Sequence, residues 1–274
     1  MYLPAPPLVL VFAGSDPTAG AGLQADLLTL GSLGCHGLTV VTALTVQDTS
    51  GVEQVMAVDA GWVASQARRL LADVGISAIK IGLLGSVENV AAVAEIVADY
   101  PDVPLVVDPV LASGRGDELL DEGALAALRE LLVPQSTIVT PNSIEARRLA
   151  LGADEDDAPL AECASRLLGA GAEYVLVTGT HERSPQVVNT LYAADGVVRE
   201  DRWERLPGLY HGSGCTLASA IAALLANGLE VSEAVREAQE YTWQALRAAF
   251  RPGMGQLIPD RFFWARGANR DDAA

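Results

Sequence analysis

The stretch Leu8-Val-Leu-Val-Phe-Ala13, then Gly14-Ser-Asp-Pro-Thr-Ala-Gly20, then Ala21-Gly-Leu-Gln-Ala-Asp26-Leu-Leu-Thr-Leu-Gly-Ser-Leu33, decides the fold class. Its first six residues form a short, continuous apolar run, the pattern of a strand buried on both faces. A glycine-rich loop follows. Ala21 to Leu33 then reads as a helix. The same alternation continues to the end of the chain. Strands are expected at Leu38–Thr45, Ala78–Ile81, Leu105–Asp108, Thr137–Thr140 and Tyr174–Thr178. Helices are expected at Ala60–Asp73, Val87–Asp99, Glu118–Leu132, Ser143–Leu151, Pro159–Gly169, Thr216–Ala226 and Ser232–Phe250.

Alternating strands and helices imply right-handed crossovers and a mainly parallel sheet with helices on both faces. The expected architecture is therefore α/β, a single-domain three-layer αβα sandwich. Two segments depart from it. Val52–Val58 reads as a short edge strand, and Val187–Arg205 reads as a hairpin turning at Asp195-Gly196. With no repeat or linker in view, residues 1–274 read as one domain with an ordered body over about 8–264.

Composition narrows the function. The chain carries a net charge of −17, which argues against nucleic acid and against an anionic membrane surface as partners. No apolar run is long enough to span a bilayer. The start of the chain lacks the pattern of a secretory signal. Three dispersed cysteines do not make a disulfide framework, so a cytoplasmic location is expected. Lys80 is the single lysine, and the P-loop pattern Gly-x-x-x-x-Gly-Lys-Ser/Thr is absent. No histidine pair has metal-ligand spacing, and Cys35 and Cys163 read as small core residues.

In open α/β sheets ligands bind beyond the carboxyl ends of the strands. Several chemistry-bearing residues fall there: Gly14, Gln47, Gly82, Asp108, Asn142, Thr178-Gly179 and the turn His211-Gly-Ser-Gly-Cys215. In that turn two glycines and the start of a helix present backbone N–H groups to an anion, most plausibly a phosphate. The same field is expected to lower the pKa of the Cys215 thiol. A plain glycine turn leading into a buried helix fits the same residues. Gln47 carries a donor and an acceptor that could read a ring nitrogen and an exocyclic amine, or it is an ordinary loop amide. Asp26 points back toward the first loop, or it is a solvated acid in a helix's first turn. Asp108, Asn142 and Glu145 could hold hydrated Mg²⁺. Asn142 with Glu145 also has the spacing of a capping box.

Taken in order, these motifs resemble the hydroxymethylpyrimidine kinase/phosphomethylpyrimidine kinase family, the thiamine-pathway branch of the ribokinase-like superfamily. The resemblance rests on Ala13–Asp26, on Thr42-Ala-Leu-Thr-Val-Gln-Asp-Thr-Ser-Gly-Val52, and on Lys80-Ile-Gly-Leu-Leu84. It extends through Asp108-Pro-Val-Leu111, Thr140-Pro-Asn-Ser-Ile-Glu-Ala146 and His211-Gly-Ser-Gly-Cys-Thr-Leu-Ala-Ser-Ala220. It implies transfer of phosphate from ATP, with Mg²⁺, to 4-amino-5-hydroxymethyl-2-methylpyrimidine and then to its monophosphate. It implies that Gln47 reads the pyrimidine, with Asp26, Gly14, Leu83 and Val110 completing that pocket. Gly212, Ser213 and Gly214 would form the anion hole, and Cys215 would occupy the position of the base. Asn142 and Glu145 would organise Mg²⁺ and phosphate through water, with Asp108 as a further metal-site acid. Thr178, Gly179 and Arg115 would lie along the nucleotide. A homodimer is implied, with Val52–Val58 as a candidate contact.

Two positions depart from the family pattern. Arg115 stands where many members carry a lysine, and Thr178-Gly-Thr-His181 replaces Lys-Gly-Gly-His. The nearest alternative reading is a pyridoxal or pyridoxine kinase, whose substrate ring also bears a hydroxymethyl group. The other is a non-catalytic pyrimidine-binding sensor.

Overall fold

The computed structural model describes residues 5–112, 119–151 and 158–266. Nine strands form one sheet: β1 (Leu8–Ser15), β2 (His36–Gln47), β3 (Val52–Ala57), β4 (Ala78–Ile81), β5 (Leu105–Val107), β6 (Ile138–Val139), β7 (Tyr174–Val177), β8 (Gln186–Ala193) and β9 (Gly196–Glu204). Their spatial order is β3-β2-β1-β4-β5-β6-β7-β8-β9. The six strands from β2 to β7 in that order run parallel. β3 closes one edge antiparallel to β2, and the β8–β9 hairpin closes the other. The mainly parallel αβα architecture is as expected from sequence, and both antiparallel segments fall where alternation and turn residues placed them.

The pleat sends successive side chains of each strand to opposite layers. Leu10, Phe12, Ile79, Ile81 and Val107 pack into one core with α2 (Ala60–Leu71), α3 (Val87–Ala98), α4 (Glu122–Ala127), α5 (Ser143–Leu151) and α6 (Leu160–Gly169). Val9, Val11, Ala78 and Val106 pack on the other face with α1 (Gly22–Ser32), α7 (Ser213–Ala226) and α8 (Val231–Arg247). Cys35 and Cys163 are buried in these cores.

The expected helix Glu118–Leu132 is shorter and less regular than its pattern. Asp121 caps its start by accepting from Ala124 N–H at 2.7 Å. After Ala127 the chain loosens into a π-helical turn at Leu128–Leu132 and a 3₁₀ turn at Val133–Gln135. Pro134 lies in that last turn and has no N–H to continue the helix. Asn89, buried on α3, donates to the carbonyls of Thr42, Val58 and Leu84, tying β2 and the β3–α2 junction to the end of β4.

Candidate active site

The carboxyl ends of β1, β2, β4, β5, β6 and β7 and the start of α7 surround one cleft of about 450 Å³. Gly212 sets its central feature. The residue is left-handed, with φ 80°, and caps α7 without a side chain. A Cβ at Gly212 would stand 1.8 Å from the Gly20 carbonyl oxygen, so the turn interlocks with the first glycine loop. The first helical hydrogen bond runs from Thr216 N–H to Gly212 O at 3.0 Å. The N–H groups of Ser213, Gly214 and Cys215 therefore precede the helical ladder at the cleft wall, where the positive end of the α7 dipole lies.

Two side chains unremarked in the sequence hold these segments together. Asp16 accepts from Thr18 N–H at 2.8 Å and Ala21 N–H at 2.7 Å, which fixes the loop after β1. The same carboxylate meets His211 Nε2 at 2.8 Å, which joins that loop to the anion turn. The bonds from His211, Ala21 and Thr18 hold the Asp16 carboxyl below its ordinary value despite its burial. Arg261, buried, donates to Gly20 O at 2.5 Å, Ala19 O at 3.2 Å and Thr216 Oγ1 at 3.1 Å. Asp16 had a local signal, an acid before proline at a strand's end. Arg261 had none.

The charged floor of the cleft differs from the sequence reading. Asp26 is fully buried and does not line the cleft. It accepts from Lys80 Nζ at 3.0 Å and from Ser219 Oγ at 2.6 Å. Rather than a solvated acid, it is the core partner of the single lysine. The reason is the pleat: Lys80 alternates with Ile79 and Ile81 and so faces the layer that holds α1 and α7. Lys80 Nζ also lies 3.9 Å from Asp108 Oδ2 and forms part of the cleft floor. Despite burial, the neighbouring carboxylates of Asp26 and Asp108 hold its ammonium protonated.

Cys215 faces the cleft, half-buried, beside Asp108. The expected lowering of its pKa is overturned. Burial, with the charges of Asp108 and Asp26, pushes the thiol up to about 12, against the opposing effects of Lys80 and the Gly22 N–H. Desolvation of a thiolate outweighs a helix terminus here. Burial likewise raises Asp108 to about 6, against Lys80. Glu145 rises to about 8, through burial and then the charge of Asp108.

Asn142 and Glu145 form the capping box: Asn142 Oδ1 accepts from Ile144 and Glu145 N–H, each at 3.0 Å, and Glu145 Oε2 accepts from Asn142 N–H at 2.9 Å. Both also line the cleft, so the two readings of this pair coexist. Gly14, Gln47, Leu83, Val110 and Thr178 line the cleft as well. Gln47 donates to Thr45 Oγ1 at 2.8 Å. Gly179 does not line it. Its N–H bonds to Asn189 Oδ1 at 3.0 Å, and a Cβ there would lie 2.2 Å from Val188 O, so Gly179 serves the close approach of β8. Arg115 lies outside the described residues.

A parallel sheet whose strand ends open onto a glycine turn at a helix N-terminus, with buried acids and a thiol around it, has the architecture of a phosphoryl-transfer enzyme of the ribokinase-like class. The phosphomethylpyrimidine kinase family model matches residues 16–260, and the chain belongs to that family. A hydroxymethylpyrimidine/phosphomethylpyrimidine kinase of Streptomyces coelicolor is 42% identical over 266 residues, 96% of either chain. The crystal structure of a Clostridium difficile phosphomethylpyrimidine kinase superposes with a TM-score of 0.75 at 33% identity, covering 88% of this chain and 99% of that one. A Staphylococcus aureus pyridoxal kinase, solved with AMP-PCP and pyridoxal, superposes with a TM-score of 0.85 at 29% identity, covering 96% of each. The protein is thus a kinase, a transferase of thiamine biosynthesis. Among the described residues no helix is long and apolar enough to cross a membrane.

Proposed function

We propose that this protein transfers the γ-phosphoryl group of ATP to the hydroxymethyl group of 4-amino-5-hydroxymethyl-2-methylpyrimidine, and then phosphorylates the resulting monophosphate. The observation that carries this reading is a single cleft lined by Gln47 and by the Gly212–Cys215 turn. Gln47 and Leu83 read and cover the ring, with Gly14 and Val110 beside them. The backbone of Gly212, Ser213 and Gly214 stabilises the charge on the migrating phosphoryl group, where positioning and charge stabilisation supply most of the acceleration.

Proton transfer falls to Cys215. The ligand-free thiol keeps its proton, so no resting thiolate does the work. As the alcohol oxygen bonds to phosphorus, its proton passes to Sγ. The sulfur's own proton passes to the adjoining Asp108 carboxylate, and charge balances at each step.

The residues present fit Mg²⁺. Asp108 Oδ2 is buried without a hydrogen-bond partner, and Glu145 lines the same cleft. Burial raises both carboxyls, with Asp26 adding to it at Asp108 and Asp108 adding to it at Glu145, a cost that a divalent cation relieves. No group of three or more His, Cys, Asp or Glu suited to a metal is present among the described residues, which agrees with a cation held through water and nucleotide phosphates. The cation would neutralise phosphate charge. Asp108 and Glu145 would hold its water shell, with Asn142 orienting Glu145.

Exposed Leu44, Val46 and Met56 at the β2–β3 edge support a homodimer closed through that edge. The overall acidity argues against nucleic-acid or membrane partners, and the three dispersed cysteines support a cytoplasmic enzyme. The likeness to a pyridoxal kinase favours one second reading, in which pyridoxal is the acceptor. An ADP-release assay offering the pyrimidine alcohol, its monophosphate and pyridoxal separately decides among them. Turnover of pyridoxal alone would overturn the pyrimidine reading.

A further inference from the structure

Arg205, at the end of β9, has a hydrogen-bond environment unlike that of a surface arginine. Its guanidinium enters the turn that follows β7. Nε donates to Ser184 O at 3.1 Å, Nη1 to Thr180 O at 2.6 Å, and Nη2 to Glu182 O at 3.0 Å and Gly179 O at 3.5 Å. All four acceptors are main-chain carbonyls. The acid in that turn, Glu182, is committed to Arg147 Nη1 at 2.9 Å. Among the described residues no carboxylate pairs with Arg205, in a chain with 35 acids against 18 basic residues. The carbonyls satisfy its N–H groups and leave its formal charge in place.

The residue that carries that charge is part of the cleft wall. Arg205 lines it together with Thr178, Thr180 and His181, in the same cavity as the Gly212–Gly214 turn. Four carbonyl bonds hold the planar fork in one orientation, so little entropy is lost when it meets an anion. The five N–H groups outnumber the four bonds, which leaves donor capacity for a phosphate oxygen.

We propose that Arg205 is a binding residue for the nucleotide's phosphates, locked in place by the carbonyls of residues 179–184. This assignment rests on the nucleotide reading given above and adds to it a residue that supplies fixed positive charge in the cleft that the Gly212 turn also lines. The alternative is a staple that only shapes the turn.

The test separates the two by comparing ADP with adenosine, which shares the base and sugar but not the phosphates. Binding of each to wild type, Arg205→Gln and Arg205→Lys is measured by calorimetry. Arg205→Gln should weaken ADP about tenfold or more, the scale of a lost hydrogen bond to a charged group, and leave adenosine within about twofold. Arg205→Lys should recover part of the ADP affinity. The deficit of Arg205→Gln should shrink at high salt, because the lost interaction is between charges.

Equal weakening of ADP and adenosine, or no weakening of ADP, would overturn the proposal. Wild type that binds neither ligand would overturn the nucleotide reading itself. If Arg205→Gln does not fold, wild-type protein decides. Phenylglyoxal labelling of Arg205, read by peptide mass spectrometry, should be blocked by ADP and not by adenosine. Blocking by both, or by neither, refutes the assignment.

Discussion

Replacing Lys80 with methionine tests the charged floor of the cleft most directly. Methionine keeps the length of the side chain and removes its charge. Lys80 and Asp26 are both at 0% side-chain exposure, with Nζ 3.0 Å from Oδ1. Asp26 Oδ2 has no hydrogen-bond partner, and without Lys80 Oδ1 keeps only Ser219. The substitution therefore strands a carboxylate in the core. Breaking one side of such a pair costs about 3–5 kcal/mol. At about 2–4 °C per kcal/mol for a domain of this size, the melting temperature should fall by roughly 6–20 °C. The double variant Lys80→Met/Asp26→Leu removes both charges and fills similar volume. It should recover most of that loss, because a buried ion pair gains little over well-packed apolar side chains. Urea unfolding of the four proteins in the cycle gives the coupling energy. A Lys80→Met loss under about 1 kcal/mol, or a double variant as unstable as the summed singles, would refute the reasoning.

Three further outcomes are expected. Gly212→Ala places a Cβ against Gly20 O in a left-handed residue, so the turn must shift; kcat should fall by about two to three orders of magnitude, the scale of a displaced oxyanion donor, and near-wild-type ADP release would argue against the anion-turn role. Cys215→Ala should lower kcat by about two to four orders of magnitude with little change in pyrimidine affinity by calorimetry, and an unchanged rate would remove its part in proton transfer. In the ligand-free protein Glu145 is raised from 4.5 to about 8, so between those values the folded state holds a proton that the unfolded state has lost. Its contribution to stability therefore declines as pH rises across that window. Urea unfolding at about pH 5 and about pH 8.5 should show the decline in wild type and a flatter profile in Glu145→Gln; equal slopes would count against a protonated Glu145.

Local signals in the chain were read correctly where one element contains the whole cause. The capping box joins Asn142 to Glu145 three positions on, and its spacing shows it. The hairpin at Gly196 is set by its turn, and β1 by its apolar run. The cleft's position follows from strand polarity alone, so Gly14, Gln47, Asp108 and the Gly212 turn converge there as expected. Helix α4 was overread, because the apolar periodicity runs on through Leu128–Leu132, where the chain loosens into a π-helical turn ahead of Pro134.

The misread residues share a different cause. Asp26 meets Lys80 across 54 positions and Ser219 across 193, and Arg261 reaches Gly20 across 241. No periodicity in the chain encodes such pairings. One clue was present: a lysine within the all-buried strand Ala78–Ile81 must find a buried anion.

By itself the sequence determined the alternation of strands and helices, the end of the sheet at which the cleft opens, and the glycine turn that begins α7, because backbone geometry and side-chain period act over a few residues. Tertiary structure alone decided which charges face one another. It made Asp26 a core partner, set Arg205 in the turn after β7, and raised the Cys215 thiol, because desolvation and Coulomb forces depend on distance through space.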